Sequence, residues 1–461
     1  MNDAIEKLLE LERREGLWQR EVLGYPVWGE LRLACYHRLL GAAATPQSPP
    51  RGAWRRRSLQ RAPASARDLV SKLPRELARR DVWVLGSTRY RRTDGDGAAR
   101  SIFAKDLEDQ LGSRLLYLET NPSHLERSPA PNVIYLDALR DLCRSVASRS
   151  SRWLSPALVN GFPWAELGLE PEALLGEAVY GRSWRELARA LMGWRRPRAL
   201  VVLCAYDQHI PFQLEARARG IPSIELQHGV IHESHPGYVF GPATPPFAPD
   251  HLVVFGEHYG RLLDGGSSYW TGRWSVGGHP WLKAKREQHA GRAPEGSIVL
   301  FGQNVPGVQQ RLRTLALELR ARLPAARVVL KPHPAEKDVS AVYAAALERG
   351  VELAAAGSDS YELLARCRVA VSVFSTIAIE ALAFPCTSVV LRSDHWFEDI
   401  RAFVAAGFLH AADGALEVER AYRGATGARV GSIDRQLFGV GSPGEDYARL
   451  IDELAARTRR V

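Results

Sequence analysis

The chain has 461 residues, 46% of them hydrophobic and 25% charged, with 61 Lys and Arg against 52 Asp and Glu. These values exclude wholesale disorder, and the length provides for two or three domains. Five scattered cysteines, with neither a CxxC pair nor a Cys/His cluster at zinc spacing, exclude a disulfide scaffold and a structural zinc site. The sequence shows neither a signal peptide nor the roughly 18–20 apolar residues of a membrane span, so a cytoplasmic protein is expected.

Residues 3–40 carry Ile5, Leu8, Leu9 and Leu11 at helical spacing. Trp18, Val22, Trp28, Leu31, Leu33 and Leu39 continue the series past a break at Gly24–Pro26. Residues 41–66, rich in Ala, Pro, Ser and Arg, read as an exposed linker, so 1–66 forms a helical extension with a basic tail. Residues 51–100 hold 14 Lys and Arg against 5 Asp and Glu, which matches the +9 surplus of the whole chain. Such a cluster faces nucleic acid, anionic lipid or an acidic substrate, or is a solvated linker. No nucleic-acid module accompanies it, so no nucleic-acid partner is expected. The basic stretch 51–92 and the Trp-bearing helices are instead expected to meet the anionic inner face of a membrane.

From residue 67 the pattern alternates between strands and helices. Val82–Leu85, Leu115–Leu118, Val133–Leu136, Ala199–Cys204, Ile221–Leu226 and His251–Phe255 read as buried strands. Asp137–Val146, Trp184–Trp194 and Pro211–Arg219 read as helices. A second series follows Val276-Gly277-Gly278-His279-Pro280. Its strands are Ser297–Phe301, Arg327–Leu330, Val351–Leu353, Val369–Val373 and Cys386–Leu391; its helices are Val308–Leu323, Val339–Glu348, Ser360–Ala365 and Ile377–Ala383. This alternation predicts an α/β fold with two mainly parallel sheets: one domain over 67–276, a second over 277–440, and a terminal helix within 441–461. The glycine pair 277–278 is placed to act as a hinge.

In open α/β sheets ligands sit beyond the carboxyl ends of the strands. Four places there carry polar chemistry. Lys331-Pro332-His333-Pro334 presents a point charge and an imidazole donor suited to a phosphate, its backbone restricted by the prolines. Ser375 and Thr376 open a helix and offer hydroxyls and free N–H groups to an anion, although an ordinary cap uses the same residues. Glu380, one turn on, is placed for a ribose diol. In Gln227-His228-Gly229, Gly229 allows a tight turn that presents an imidazole to the cleft, where His228 serves as a general base toward a hydroxyl. Asp207 in Ala205-Tyr206-Asp207-Gln208-His209 is a second base or a helix cap. Gly302 and Gln303, after the first strand of the second series, form a short phosphate or acceptor loop without a full GxGxxG or Walker pattern. His228, His232 and His235 lack the carboxylates of a metal site, so no metal is expected. Asp94-Gly95-Asp96-Gly97 reads as a surface loop.

In sum, LQHG and HPGY, then FGE (Phe255–Glu257), VGGHP, LKPHP and SVFSTIAIEAL resemble the GT-B glycosyltransferase superfamily over about residues 200–390. More narrowly, the motifs are similar to those of bacterial surface-polysaccharide enzymes: capsule and lipopolysaccharide transferases, polysialyl- and Kdo transferases, and CDP-glycerol glycerophosphotransferases. The resemblance implies two Rossmann-like domains facing across a cleft, with the nucleotide-sugar donor in the second and a glycan or lipid-linked glycan acceptor at the first. It implies that His333 contacts the donor phosphate, with Ser375 and Thr376 as the hydroxyl pair and Glu380 as the helix carboxylate. His228 or Asp207 is implied as base, and no cofactor besides a CMP- or UDP-linked sugar donor. Gln227 stands where glycerophosphotransferases carry Trp, and KPHP continues as Ala-Glu, which lowers the glycerophosphotransferase reading; an inverting, metal-independent sugar transfer is expected, in line with the absence of a convincing DxD-type metal motif. A CDP-polyol phosphotransferase, a nucleotide-sugar 2-epimerase with acid/base carboxylates and no acceptor, and a non-catalytic nucleotide-sugar-binding subunit are the alternatives.

Overall fold

A computed structural model describes residues 2–40, 69–93, 99–121, 130–292, 295–305, 307–355, 357–392, 398–425, 430–439 and 444–458. Two parallel sheets organise it. The first contains β1 (Val82–Ser87), β4 (Leu115–Thr120), β5 (Val133–Tyr135), β6 (Ala199–Val202), β7 (Ser223–Leu226), β8 (His251–Val254) and β9 (Trp274–Val276), in the order β5-β4-β1-β6-β7-β8-β9. A small antiparallel hairpin, β2 (Arg91–Thr93) with β3 (Ala99–Ser101), follows β1. The second sheet contains β10 (Ser297–Phe301), β11 (Val328–Lys331), β12 (Glu352–Leu353), β13 (Cys367–Ser372), β14 (Thr387–Leu391) and β15 (His410–Ala412), in the order β12-β11-β10-β13-β14-β15.

With the hairpin set aside, both orders read 3-2-1-4-5-6, and the first sheet adds a seventh strand. Each domain is therefore Rossmann-like, and its crevice opens where the order reverses: between β1 and β6 in the first, between β10 and β13 in the second. This is the GT-B architecture that the motifs implied. The strands are apolar on both faces because helices cover both. Ile298, Leu300, Val328, Leu330 and Val371 pack under the outer helices, while Val299, Val329 and Ala370 face the other way.

The N-terminal helices, Asp3–Glu15 and Trp28–Leu39, are packed on the first domain. Trp18 and Trp28 are buried among Phe240, Phe247 and Phe162, and so are withdrawn from any membrane. The buried Arg32 bonds Glu12 and the Val239 carbonyl (2.7 Å), and Trp28 Nε1 donates to Glu12 at 2.7 Å. Residues 41–68, including the linker and most of the basic cluster, and the loop 94–97 lie outside the described residues. In the described part of that cluster, Arg80 pairs with Glu76, Arg91 with buried Glu119 and Arg89 with Asp207.

One apolar core runs across the domain boundary. His258 and Tyr259 of the first domain pack on Phe403 and Phe408 of the second. The chain crosses between domains twice. At the first crossing Gly278 takes a left-handed backbone (φ +81), while Gly277 lies so close to Val253 that an added Cβ would stand 2.4 Å from it. At the second, Gly439 (φ +66) returns the chain to the first domain. There Gln110 bonds the Glu445 carbonyl (2.8 Å) and the Tyr447 N–H (3.0 Å), and the helix Tyr447–Thr458 docks. Gly256 is also dictated by close approach, since an added Cβ would meet the Gln436 carbonyl at 2.2 Å.

Candidate active site

Three loops meet at the β10/β13 crevice. Gly302 N–H donates to the Lys331 carbonyl at 2.8 Å, and a Cβ on Gly302 would lie 3.0 Å from His333 N and 2.2 Å from Glu336 Oε1. Only glycine lets the β10 loop lie flat on the β11 loop. Buried Gln303 then crosses to the third loop, its Oε1 accepting from Phe374 N–H at 3.1 Å. Lys331, His333, Ser375 and Thr376, predicted separately, are thus held in one assembly.

Within it, Glu336 fixes the KPHP turn. Its Oε1 accepts from His333 N–H (2.8 Å) and its Oε2 from Tyr343 O–H (2.9 Å). His333 Nδ1 accepts from Ala335 N–H at 3.1 Å. A neutral imidazole must then carry its proton on Nε2, which leaves an N–H donor on an exposed ring. Burial pushes the Lys331 ammonium down from its usual range while Asp359 opposes this, and no carboxylate pairs with it among the described residues. The helix expected over Ile377–Ala383 is a single α turn, Ile377–Glu380, followed by a 3-10 turn, Ala381–Ala383. Its macrodipole is correspondingly small, and local groups take its place: among the described residues the Ser375 and Thr376 N–H groups have no acceptor, and Ser375 is partly exposed and Thr376 exposed. Glu380 accepts from Tyr361 O–H (2.7 Å) and Thr376 O–H (3.1 Å). Burial pushes its carboxyl up, opposed by those two bonds and by the charge of Arg92, which reaches it from the hairpin of the first domain.

The opposing wall is the β6/β7 end of the first sheet. His228 is nearly buried, its Nε2 3.2 Å from the Tyr206 hydroxyl and its Nδ1 3.7 Å from Glu225 Oε1. Gly229 takes no left-handed conformation and a Cβ on it would meet open space, so the tight glycine turn expected there is absent. The turn is held instead by Gln227, which accepts from Phe255 N–H (2.7 Å) and donates to the Gly229 carbonyl (2.8 Å). Burial lowers the His228 imidazole to about 3 and raises the Glu225 carboxyl to about 8, so both are neutral at pH 7. Glu225 Oε1 also accepts from Ala205 N–H (3.1 Å) and Tyr238 O–H (2.9 Å). His228 thus presents a neutral ring whose buried Nδ1 makes no hydrogen bond among the described residues, and Glu225 stands behind it beyond hydrogen-bond distance. Asp207 is partly exposed, pairs with Arg89 at 3.2 Å and accepts from Gln208 N–H at 2.7 Å. It lies ahead of the cap of the helix Ile210–Ala218, whose N-cap is His209. His232 and His235 turn inward, with rings 5.3 Å apart, and among the described residues no His/Cys/Asp/Glu group has the arrangement of a metal site.

Sequence reasoning passed over Glu225, Glu336, Tyr361 and Arg89. For Glu225 a signal existed: a lone carboxylate inside the apolar run Ile224-Glu225-Leu226, two residues before the QHG turn ends its first step.

No protein-family model and no curated protein matches the chain. Among solved structures, the UDP-GlcNAc 2-epimerase of Methanocaldococcus jannaschii aligns with 81% of this chain and 99% of its own, at 12% identity and a TM-score of 0.48. A ugt transferase from Siraitia grosvenorii in complex with UDP aligns with 82% of this chain and 95% of its own (13% identity, TM-score 0.42). A spinosyn rhamnosyltransferase complexed with thymidine diphosphate gives 82%, 96%, 14% and 0.40 for the same measures.

Proposed function

We propose that the protein is a glycosyltransferase that moves a sugar from a nucleotide-activated donor to a hydroxyl of a cell-surface polysaccharide or lipid-linked glycan. The observation that carries this reading is the assembly of Lys331, His333 Nε2–H and the Ser375–Thr376 N–H and hydroxyl groups at one crevice, with neutral His228 on the first domain's crevice wall. In this reading the phosphate of a CMP- or UDP-linked donor lies against the second-domain groups, and Glu380 meets the ribose through lone pairs that Tyr361 and Thr376 leave open. His228 accepts the acceptor's hydroxyl proton as its oxygen attacks the anomeric carbon. The bond to the nucleotide phosphate breaks with inversion. Its electrons pass to the phosphate, where preorganised N–H and ammonium groups meet the developing charge without reorganising. Asp207 orients Arg89 and the Gln208 backbone rather than removing the proton. Closure about the two crossings excludes water, which would otherwise consume the donor.

The test is a thermal-shift screen with CMP, CDP, UDP, GDP and dTDP, followed by transfer assays with the sugars of whichever nucleotide stabilises the protein. Stabilisation by CMP or UDP, with nucleotide release that requires an acceptor, supports the reading. Cleavage of CDP-glycerol with transfer of glycerol phosphate moves the assignment to a polyol phosphotransferase, and binding without turnover over a broad acceptor panel moves it to a non-catalytic subunit.

A further inference from the structure

Among the described residues, nine large apolar side chains are exposed, and four of them fall in one stretch of the first domain: Leu142 (60% exposed), Val146 (45%), Trp153 (89%) and Leu158 (50%). The helix Asp137–Ser150 buries Asp141 and Ala147 and rests Leu139 and Cys143 on the core below it. Leu142, Val146, Arg149 and Trp153 are spaced by four, three and four residues, so they form one stripe on its outer side, carried past the helix end by the 3-10 turn Ser151–Trp153. Leu158 follows in the 3-10 turn Pro156–Val159, where Ser155, Pro156 and Ala157 are also exposed.

The charge of the stretch is one-sided. From residue 142 to 165 there is no Asp or Glu, against Arg144, Arg149 and Arg152. Arg144 is engaged by Glu177 at 2.8 Å, whereas Arg149 and Arg152 are exposed and have no partner among the described residues. A tryptophan nine-tenths exposed beside leucines, valine and free arginines has the composition of an interfacial anchor: the rings and aliphatic chains enter the boundary layer while the guanidinium groups meet phosphates.

We propose that the Leu142–Leu158 face docks on an anionic lipid surface. The occupant is assigned by charge: the free arginines sit among apolar groups with no acid in the stretch, which matches a negatively charged bilayer. The surface differs from the basic stretch 51–92 expected from sequence. It is also independent of the transfer chemistry, so failure of either idea leaves the other standing.

The test is co-sedimentation of the full chain with phosphatidylcholine vesicles that either contain or lack phosphatidylglycerol. Binding is expected only with the anionic lipid and is expected to fall as salt rises. Trp153→Ser with Leu142→Ser should reduce partitioning at least tenfold. Arg149→Glu with Arg152→Glu should reduce it by more than about fivefold per arginine, through loss of attraction and added repulsion. All four positions are exposed, so unchanged thermal unfolding is expected and is measured alongside. The proposal is overturned if the wild-type chain ignores anionic vesicles, or if the variants bind as well as wild type. It is also overturned if light scattering shows a wild-type dimer that the Trp153→Ser, Leu142→Ser variant disperses, which would make a second copy the occupant.

Discussion

Replacing Gly302 by alanine tests the architecture of the second crevice most directly. The added Cβ would stand 2.2 Å from Glu336 Oε1, a contact that no arrangement tolerates, so the carboxylate must leave. In leaving it gives up the bonds from His333 N–H (2.8 Å) and Tyr343 O–H (2.9 Å). Hydrogen bonds to charged groups contribute about 1.5–3 kcal/mol each, and with partial replacement by water the loss should come to about 2–4 kcal/mol. Urea unfolding should show a lower midpoint at unchanged slope, and the nucleotide that stabilises the wild type should bind about tenfold more weakly, since the His333 turn has lost its anchor. The decisive control is Glu336→Ala, which removes both bonds and also the obstacle. The 3.0 Å approach to His333 N remains, so adding Gly302→Ala to it should still cost something, but clearly less than Gly302→Ala costs in the wild type. Fully additive losses, or a Gly302→Ala protein with wild-type midpoint and affinity, would refute the assignment of Gly302 as the seat of the KPHP turn.

On the proposed function, His333→Ala should lower turnover by about 10²–10³ in a transfer assay while leaving unfolding unchanged, because in that reading its Nε2–H meets charge that develops during the reaction. His228→Ala should lower kcat far more than Asp207→Asn; the reverse order would exchange their roles. Glu12→Ala leaves Arg32 buried without its partner and should destabilise the protein by about 3–5 kcal/mol, read from chemical unfolding. Burial holds His228 near 3 and His209, His232, His251 and His279 near 4, against an ordinary 6.5. The unfolded chain therefore takes up more protons in that interval, and stability should fall as pH drops from about 6.5 toward 4. Glu30 and Glu225, raised to about 8, act in the opposite direction over the same interval but are fewer. Urea midpoints that stay level between about pH 7 and pH 5 would contradict the burial of neutral imidazoles.

The sheets were legible because parallel strands covered on both faces leave unbroken apolar runs, as in Ile298–Phe301 and Val369–Val371. The polar residues at the ends of those runs were legible for the same reason: Lys331 closes its strand, and His333, Ser375 and His228 follow strand ends. What the sequence concealed was the scaffolding behind them. Gln303 reaches a loop 71 positions away, and Glu336 acts back on His333 through a turn that local preference does not specify. Trp18 and Trp28 looked like surface anchors because their cover is distant in the chain: Phe240 and Phe247, more than 200 residues downstream, for Trp18, and Phe162 for Trp28. Gly229 drew notice as a turn glycine, yet a neighbouring glutamine holds that bend.

The double passage of the backbone between the two sheets has a practical result for anyone dividing this molecule. Because the last helix belongs to the first domain, tied there by Gln110 and by the Arg198–Asp452 pair, a cut at either passage alone yields no self-sufficient half. A chimaera that exchanges the nucleotide-facing unit must be spliced at both seams, near 278 and 439, with the terminal segment kept from the recipient.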